Sequence, residues 1–389
     1  MAGRSLTSSV SLGSVPRWAA LLGIIVASRT VSTALMLWFA AGQAENPWTG
    51  AKPDLFEFSR IWDSHWYRII AEVGYPTELP VTAEGNVGEN AWAFMPIFPM
   101  LVRVLMGLTG APFAYISVAV SIAAFAGFVL LADRLFRHLL GDKAALWAVA
   151  VVAFAPISPV YQVGYAESLG MVFLTLVLIG LVEKRWALVA IAIPLAALTR
   201  PLGAPIALML LVLLILKWKS TDRTPLAWLT LVASASTAAW PAIAWLMTGR
   251  MTAYVDTEFA WRRPYYGGGG DGHGWGTGWW ASANWWFPDI AVGVLVAIGV
   301  SIVVFAVLPS TRHLGRVALA WSFTYLAYLV LVLFPQSSIF RLLAPMWPLA
   351  GSVARSRIAS VVAIALGVVG QYFWIDWCWS VKGSDWTPP

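Results

Sequence analysis

Apolar runs, several of them about 18 to 24 residues long, alternate with short polar stretches along most of the chain: roughly 18–41, 112–132, 144–160, 168–183, 186–199, 201–216, 225–247, 290–308, 317–334, 341–353 and 358–376. About 20 helical residues cross a hydrocarbon core about 30 Å thick. The pattern therefore predicts an all-α polytopic membrane protein with about eleven transmembrane helices. Between the first two runs lies a polar stretch rich in Pro and Gly, followed by a short apolar segment, Phe94 to Thr109, that carries Pro96, Pro99 and Arg103.

Charge decides whether that segment spans. If it is a juxtamembrane helix and residues 1–17 are cytoplasmic, the inner side collects Arg4, Arg17, Arg134, Arg137, Lys143, Lys184, Arg185, Lys217, Lys219, Arg223, Arg312, Arg316, Arg355 and Arg357. Only Asp133, Asp142, Glu183 and Asp222 join them there. If it crossed, every later loop would invert and the basic clusters would face outward, against the positive-inside bias. The expected organisation is a cytoplasmic N-terminus over 1–17, one transmembrane domain over 18–376 and an outer tail over 377–389. Two long outer loops, 42–111 with juxtamembrane helices and the Gly- and Trp-rich 249–289, are expected to carry function. The first run is too long for a signal-peptide h-region and reads as a retained span. No inverted half-symmetry is visible, which disfavours a transporter built from duplicated halves.

Composition narrows the function classes. Hydrophobic residues make up 59% and charged residues 11%, against about 45–50% and about 25% in soluble domains, and the mean hydropathy is +0.74. The net charge of +6 is spread over many short loops, which excludes a nucleic-acid partner. The lone Cys378 excludes a disulfide framework, a cysteine-based zinc site and an iron–sulfur cluster.

The densest polar cluster runs from Arg60 to Arg68 and includes Trp62, Asp63, His65, Trp66 and Tyr67. On a helix Asp63, Trp66 and Tyr67 share one face. A carboxylate among aromatics at a membrane surface suits a general base, because partial desolvation lifts its pKa; an interfacial anchor whose Asp63 pairs with Arg60 or Arg68 is the competing structural role. Glu167, after Tyr165, begins a span on the outer side, either complementing the helix dipole or binding sugar hydroxyls. Arg200 and Arg341 stand at outer edges of apolar stretches, where a guanidinium fork suits a lipid-linked phosphate and where snorkelling to ordinary headgroups is the alternative. Gln336, in the turn before Arg341, and His273, in the tract Gly267 to Gly278, complete the candidate substrate-binding set. That tract lacks the strand and helix of a nucleotide loop. His65, His273, Asp63 and Glu167 could gather around a divalent metal, but their spacing matches no ligand motif, so no metal is assigned. Arg29, near the middle of the first span, requires a partner inside the bundle, since an unpaired cation there costs at least about 2.5 kcal/mol.

Together Trp62-Asp63-Ser64-His65-Trp66-Tyr67, Ala93-Phe94-Met95-Pro96-Ile97-Phe98-Pro99, Tyr165-Ala166-Glu167-Ser168, Arg200-Pro201-Leu202-Gly203 and Arg341-Leu342-Leu343-Ala344-Pro345 resemble the PIG-V family of mannosyltransferases, relatives of GPI mannosyltransferase 2, within the wider GT-C class. The family pattern often has Ser where Ala166 stands and Gly at His65 or its neighbour. The resemblance implies a GT-C fold, a polyprenyl-phosphomannose donor, and Asp63 as the base that deprotonates an acceptor hydroxyl while the anomeric carbon inverts. It further implies Arg341, then Arg200, on the departing polyprenyl phosphate and Glu167 orienting a sugar. The expected activity is an inverting glycosyltransferase acting on a lipid-linked or cell-envelope glycan at the outer face of the cell membrane, with no nucleic-acid partner. A GT-C transferase for another sugar and a lipid-linked-glycan transporter stand as alternatives.

Overall fold

The computed structural model describes residues 15–263, 276–332 and 337–382, which are predominantly helical. The helices are α1 (Arg17–Gly42), α2 (Leu55–Phe58), α3 (Asp63–Glu72), α4 (Ile97–Thr109), α5 (Phe113–Leu140), α6 (Asp142–Ala153), α7 (Glu167–Val182), α8 (Trp186–Ala197) and α9 (Gly203–Leu216). They continue with α10 (Arg223–Thr248), α11 (Ala253–Ala260), α12 (Thr277–Trp286), α13 (Ala291–Val307), α14 (Pro309–Arg312), α15 (Gly315–Val332), α16 (Ile339–Leu342) and α17 (Arg357–Trp374). Val81 and Val87 form an isolated antiparallel bridge. His273 and Gln336, and most of the tract from Gly267 to Gly278, lie outside the described residues.

Five helices, α1, α5, α10, α15 and α17 with its extension to Trp379, are long and apolar enough to cross a membrane. The chain is a polytopic helical membrane protein, but the eleven expected spans do not all appear as full-length helices. At about 1.5 Å per residue, α7, α8 and α9 rise only about 24, 18 and 21 Å, and α6 about 18 Å. The apolar stretch 341–353 is not an α-helix over its length. It splits into α16 and the 3-10 segment Ala344–Ser352, because Pro345 and Pro348 each remove a backbone donor from the helical ladder. The stretch 144–160 likewise stops at Ala153, short of Pro156 and Pro159.

The core is apolar and built where α5, α6, α7, α8, α9 and α15 meet, with Phe125, Phe128, Leu174, Ile206, Met209 and Trp321 fully enclosed. Small residues let backbones approach: a Cβ at Gly367 of α17 would collide with the Phe154 carbonyl. Arg29 has its partners inside the bundle. Its Nη1 donates to the Ser158 carbonyl at 2.9 Å and to Gln162 Oε1 at 3.2 Å, its Nη2 to Ser158 Oγ, and its guanidinium lies 4.1 Å from the Phe125 ring centre.

The two ends of the bundle differ in chemistry. At one end Arg134 of α5 grips Glu183 past the C-terminus of α7, Arg17 binds Asp133, and Lys184 and Lys217 share Asp222. Glu167 opens the same helix α7 and so stands at the opposite end, with the loop 42–111, the 198–202 turn and α16. Helices α2, α3 and α4 all lie within that loop.

Candidate active site

The site begins with the backbone at Trp62. This residue has φ of 58°, a conformation costly for a bulky L side chain, of order 1–3 kcal/mol, and held only where surroundings enforce it. Here Trp62 is buried, its indole packs 5.5 Å from Trp48, and its Nε1 donates to the Trp379 carbonyl at 3.3 Å. Trp379 in turn donates to the Phe58 carbonyl at 2.9 Å, so the helical extension of α17 clamps the chain on both sides of Arg60. The constrained turn puts Asp63 on the first position of α3, where the helix dipole favours a carboxylate. A tryptophan cannot cap that helix. The orphaned Asp63 amide instead donates to the Tyr165 hydroxyl at 3.1 Å, 102 residues away in sequence.

The loop bearing Tyr165 is fixed just as firmly. Ser121 donates to the Tyr165 carbonyl at 3.2 Å and Ser168 to the Tyr161 carbonyl at 3.0 Å. Gly164 packs so closely on α3 and α5 that a Cβ there would overlap Ser64 Oγ and come within 2.8 Å of Ser117 Oγ. The loop delivers Glu167, only 2% exposed, to the start of α7.

Two arginines converge on these carboxylates. Arg341 Nη1 binds Asp63 Oδ2 at 2.5 Å, its Nε stands 3.5 Å from Glu167 Oε1, and its guanidinium lies 5.2 Å from the Tyr165 ring centre. Arg200 Nη2 reaches the same Glu167 oxygen at 3.4 Å. Arg341 is aimed by backbone anchoring: Tyr325 donates to the Leu342 carbonyl at 2.8 Å and Trp321 to the Pro345 carbonyl at 2.7 Å, so α15 carries α16. The quartet is balanced, two cations against two anions, which makes its burial tolerable. Its pairing is uneven. Asp63 and Arg341 form a short charge-assisted hydrogen bond, whereas both Glu167 oxygens and Arg341 Nε lack a hydrogen-bond partner.

A cavity of about 130 Å³ opens beside this quartet. It is lined by Glu167, Arg200 and Arg341, by Glu258 of α11 and Arg262 just beyond that helix, and by Tyr325 and Tyr328 of α15. Burial pushes the Glu258 carboxyl above its ordinary range, opposed by nearby Arg262. Tyr67, fully buried against Phe94, Phe98 and Tyr165, is held protonated by the same effect.

Four motif residues far apart in sequence, Asp63, Glu167, Arg200 and Arg341, are thus in one cluster with Tyr67 and Tyr165 around it. Trp62 serves the backbone instead of facing the cavity. His65 packs edge-on between Trp48 and Trp66 at 5.3 and 6.1 Å, its pKa pulled down by burial and by Arg68. Arg60 is partly buried with its Nε unpartnered. No group of three or more His, Cys, Asp or Glu suited to a metal occurs among the described residues. Glu258, Arg262, Tyr325 and Tyr328 are not legible as site residues in the sequence. The one signal there is the i, i+4, i+8 spacing of Tyr254, Glu258 and Arg262, which places them along one helical face.

No family model and no curated protein sequence matches the chain. Among solved structures it is similar to ArnT from Cupriavidus metallidurans bound to undecaprenyl phosphate, at 14% identity over 88% of this chain and 63% of that one, with a TM-score of 0.50. It is also similar to the Archaeoglobus fulgidus oligosaccharyltransferase tethered with an acceptor peptide, at 13% identity over 92% of this chain and 55% of that one, with a TM-score of 0.47. The chain spans less than two thirds of the length of either protein. Its helical architecture, with a long first loop that supplies α2 to α4 and a mostly helical bundle beneath, is that of the GT-C fold.

Proposed function

We propose that the chain is an inverting glycosyltransferase that takes a sugar, mannose by its motif resemblance, from a polyprenyl phosphate and places it on a hydroxyl of a lipid-linked or cell-envelope glycan. The observation that carries this reading is one arginine, Arg341, bridging two carboxylates, Asp63 and Glu167, at the edge of a cavity. The ArnT structure with bound undecaprenyl phosphate supports a lipid phosphate as the leaving group. The positive-inside bias supports an outer-face site, because Arg134, Lys184 and Lys217 gather at the opposite end of the bundle.

In the proposed reaction Asp63 accepts the proton of the acceptor hydroxyl. That oxygen bonds to the anomeric carbon from the face opposite the phosphate, and the carbon–oxygen bond to the polyprenyl phosphate breaks. Both electrons of the broken bond leave with the phosphate oxygen. Arg341 and Arg200 stabilise the dianion that results, in a site where little water screens them. Glu167 holds the two guanidiniums apart and in place. Donor binding also prepares the base: a phosphate competing for Arg341 loosens its bond to Asp63 and frees the carboxylate for proton transfer.

The test is reconstitution of the protein in vesicles with radiolabelled undecaprenyl-phosphomannose and a membrane-lipid extract. A transferase yields a labelled glycolipid and free undecaprenyl phosphate. Label that crosses the bilayer still attached to undecaprenyl phosphate identifies a lipid-linked-glycan transporter instead.

A further inference from the structure

Part of the wall of the cavity beside Glu167, Arg200 and Arg341 comes from a stretch of the chain that no motif marks. Tyr254 and Glu258 on α11, and Arg262 just past its end, follow one another along the same face, and Glu258 and Arg262 line the cavity with Tyr328 of α15. This face is rigidly mounted. Asn90 donates to Thr257 Oγ1 at 2.8 Å and Arg263 to the Val87 carbonyl at 2.8 Å, tying α11 and the residues after it to the first long loop. Trp240 of α10 donates to the Trp92 carbonyl at 3.0 Å, and Tyr254 packs on the cluster that Trp92 and Trp240 form. A carboxyl group held on such a mount, hydrogen-bonded to Tyr254 and lining a small cavity with Arg200, Arg262, Arg341, Tyr325 and Tyr328, has the composition of a hydroxyl-recognition site: several donors and acceptors at fixed positions within an apolar shell.

The division of labour follows from charge. Arg200 and Arg341 already face each other across Glu167 and suit the phosphate. Glu258 does not suit a phosphate, since carboxyl and phosphate oxygens repel or compete for the same cations. It suits the part of the donor that carries only hydroxyls. Carboxyl oxygens accept hydrogen bonds from sugar hydroxyls, and the Arg262 and Tyr328 side chains that line the same cavity can donate to them.

We propose that Glu258, with Arg262 and Tyr328 beside it, binds the hydroxyls of the donor sugar and sets which sugar the site accepts. The proposal rests on the glycosyltransferase reading above and adds to it a specificity residue from α11.

The test compares two lipids that differ only in the sugar: undecaprenyl phosphate and undecaprenyl-phosphomannose, each titrated against the protein in nanodiscs. The wild type is expected to bind the mannosylated lipid about tenfold more tightly. Glu258→Ala is expected to erase that preference while leaving affinity for bare undecaprenyl phosphate within about twofold, which also reports that the variant is folded. Glu258→Gln, isosteric and still able to accept through Oε1, is expected to keep most of the preference. An alanine variant that retains the full preference, or one that loses affinity for both lipids equally while remaining monodisperse, overturns the proposal. A wild type that binds bare undecaprenyl phosphate but shows no preference for its mannosylated form also overturns it, while leaving the lipid-phosphate reading intact. A wild type that binds neither lipid contradicts the glycosyltransferase reading itself.

Discussion

Arg341 donates from Nη1 to Asp63 Oδ2 at 2.5 Å, so the proposed base and the proposed phosphate ligand occupy each other in the free protein. The pair is only partly shielded, with Asp63 20% and Arg341 8% exposed. An acceptor hydroxyl meeting Asp63 before the donor arrives would meet a carboxylate already engaged with a guanidinium. Donor first, acceptor second is the binding order this geometry favours. In steady-state kinetics acceptor analogues are therefore expected to bind weakly without undecaprenyl phosphate and at least about tenfold more tightly with it; equal affinity in both conditions would remove the coupling.

Arg341→Lys tests whether one fork must serve two carboxylates. Lysine offers a point charge on a flexible stem and cannot reproduce the planar bridge from Nη1 to Asp63 and from Nε to Glu167. Affinity for undecaprenyl phosphate is expected to fall at least about tenfold in Arg341→Lys and further in Arg341→Ala. Unchanged affinity in the alanine variant would make Arg341 a lipid-headgroup contact.

Glu167 carries the balance of the quartet. Removing it leaves Arg200 and Arg341 facing each other with one carboxylate between two cations, and loss of one partner from a buried ion pair costs about 3–5 kcal/mol. Glu167→Ala is expected to lower the thermal midpoint in detergent well below that of Asp63→Asn, whose carboxylate sits nearer solvent. Equal midpoints for the two variants would show that Glu167 does not hold the arginines.

Much of the site is legible in the sequence, and the reason is local. Glu167, Arg200 and Arg341 are polar residues stranded at the edges of apolar stretches, where the bilayer makes charge expensive and so conspicuous, and Asp63 stands in the densest polar cluster of the first long loop. Both ends of α1 and the start of α5 are legible for the same reason, whereas α5 runs on to Leu140, past the apolar stretch that ends at 132. Three features are not. The proline-broken stretch after Arg341 depends on neighbours that satisfy the backbone, which hydropathy does not report. The role of Trp62 is a backbone torsion, invisible in its side-chain type. Glu258 is one acid on a short helix whose place opposite Arg200 is set by tertiary packing alone.

Gly164 gives a purely steric test of how Asp63 is positioned. Alanine there overlaps Ser64 Oγ, one residue from Asp63, and presses on Ser117. Gly164→Ala is expected to cut turnover at least about tenfold with little change in expression, and Ser64→Ala in the same chain is expected to recover part of it by removing the nearer obstacle. A double variant no better than Gly164→Ala would place the damage elsewhere.

The most direct measurement is transfer of label from radiolabelled undecaprenyl-phosphomannose to a membrane-lipid extract, with wild type and Asp63→Asn side by side. General-base removal is expected to reduce transfer by about 10² to 10⁴ fold, while undecaprenyl-phosphomannose binding in the variant stays within about threefold of wild type. An Asp63→Asn protein that transfers label at the wild-type rate would contradict Asp63 as the base.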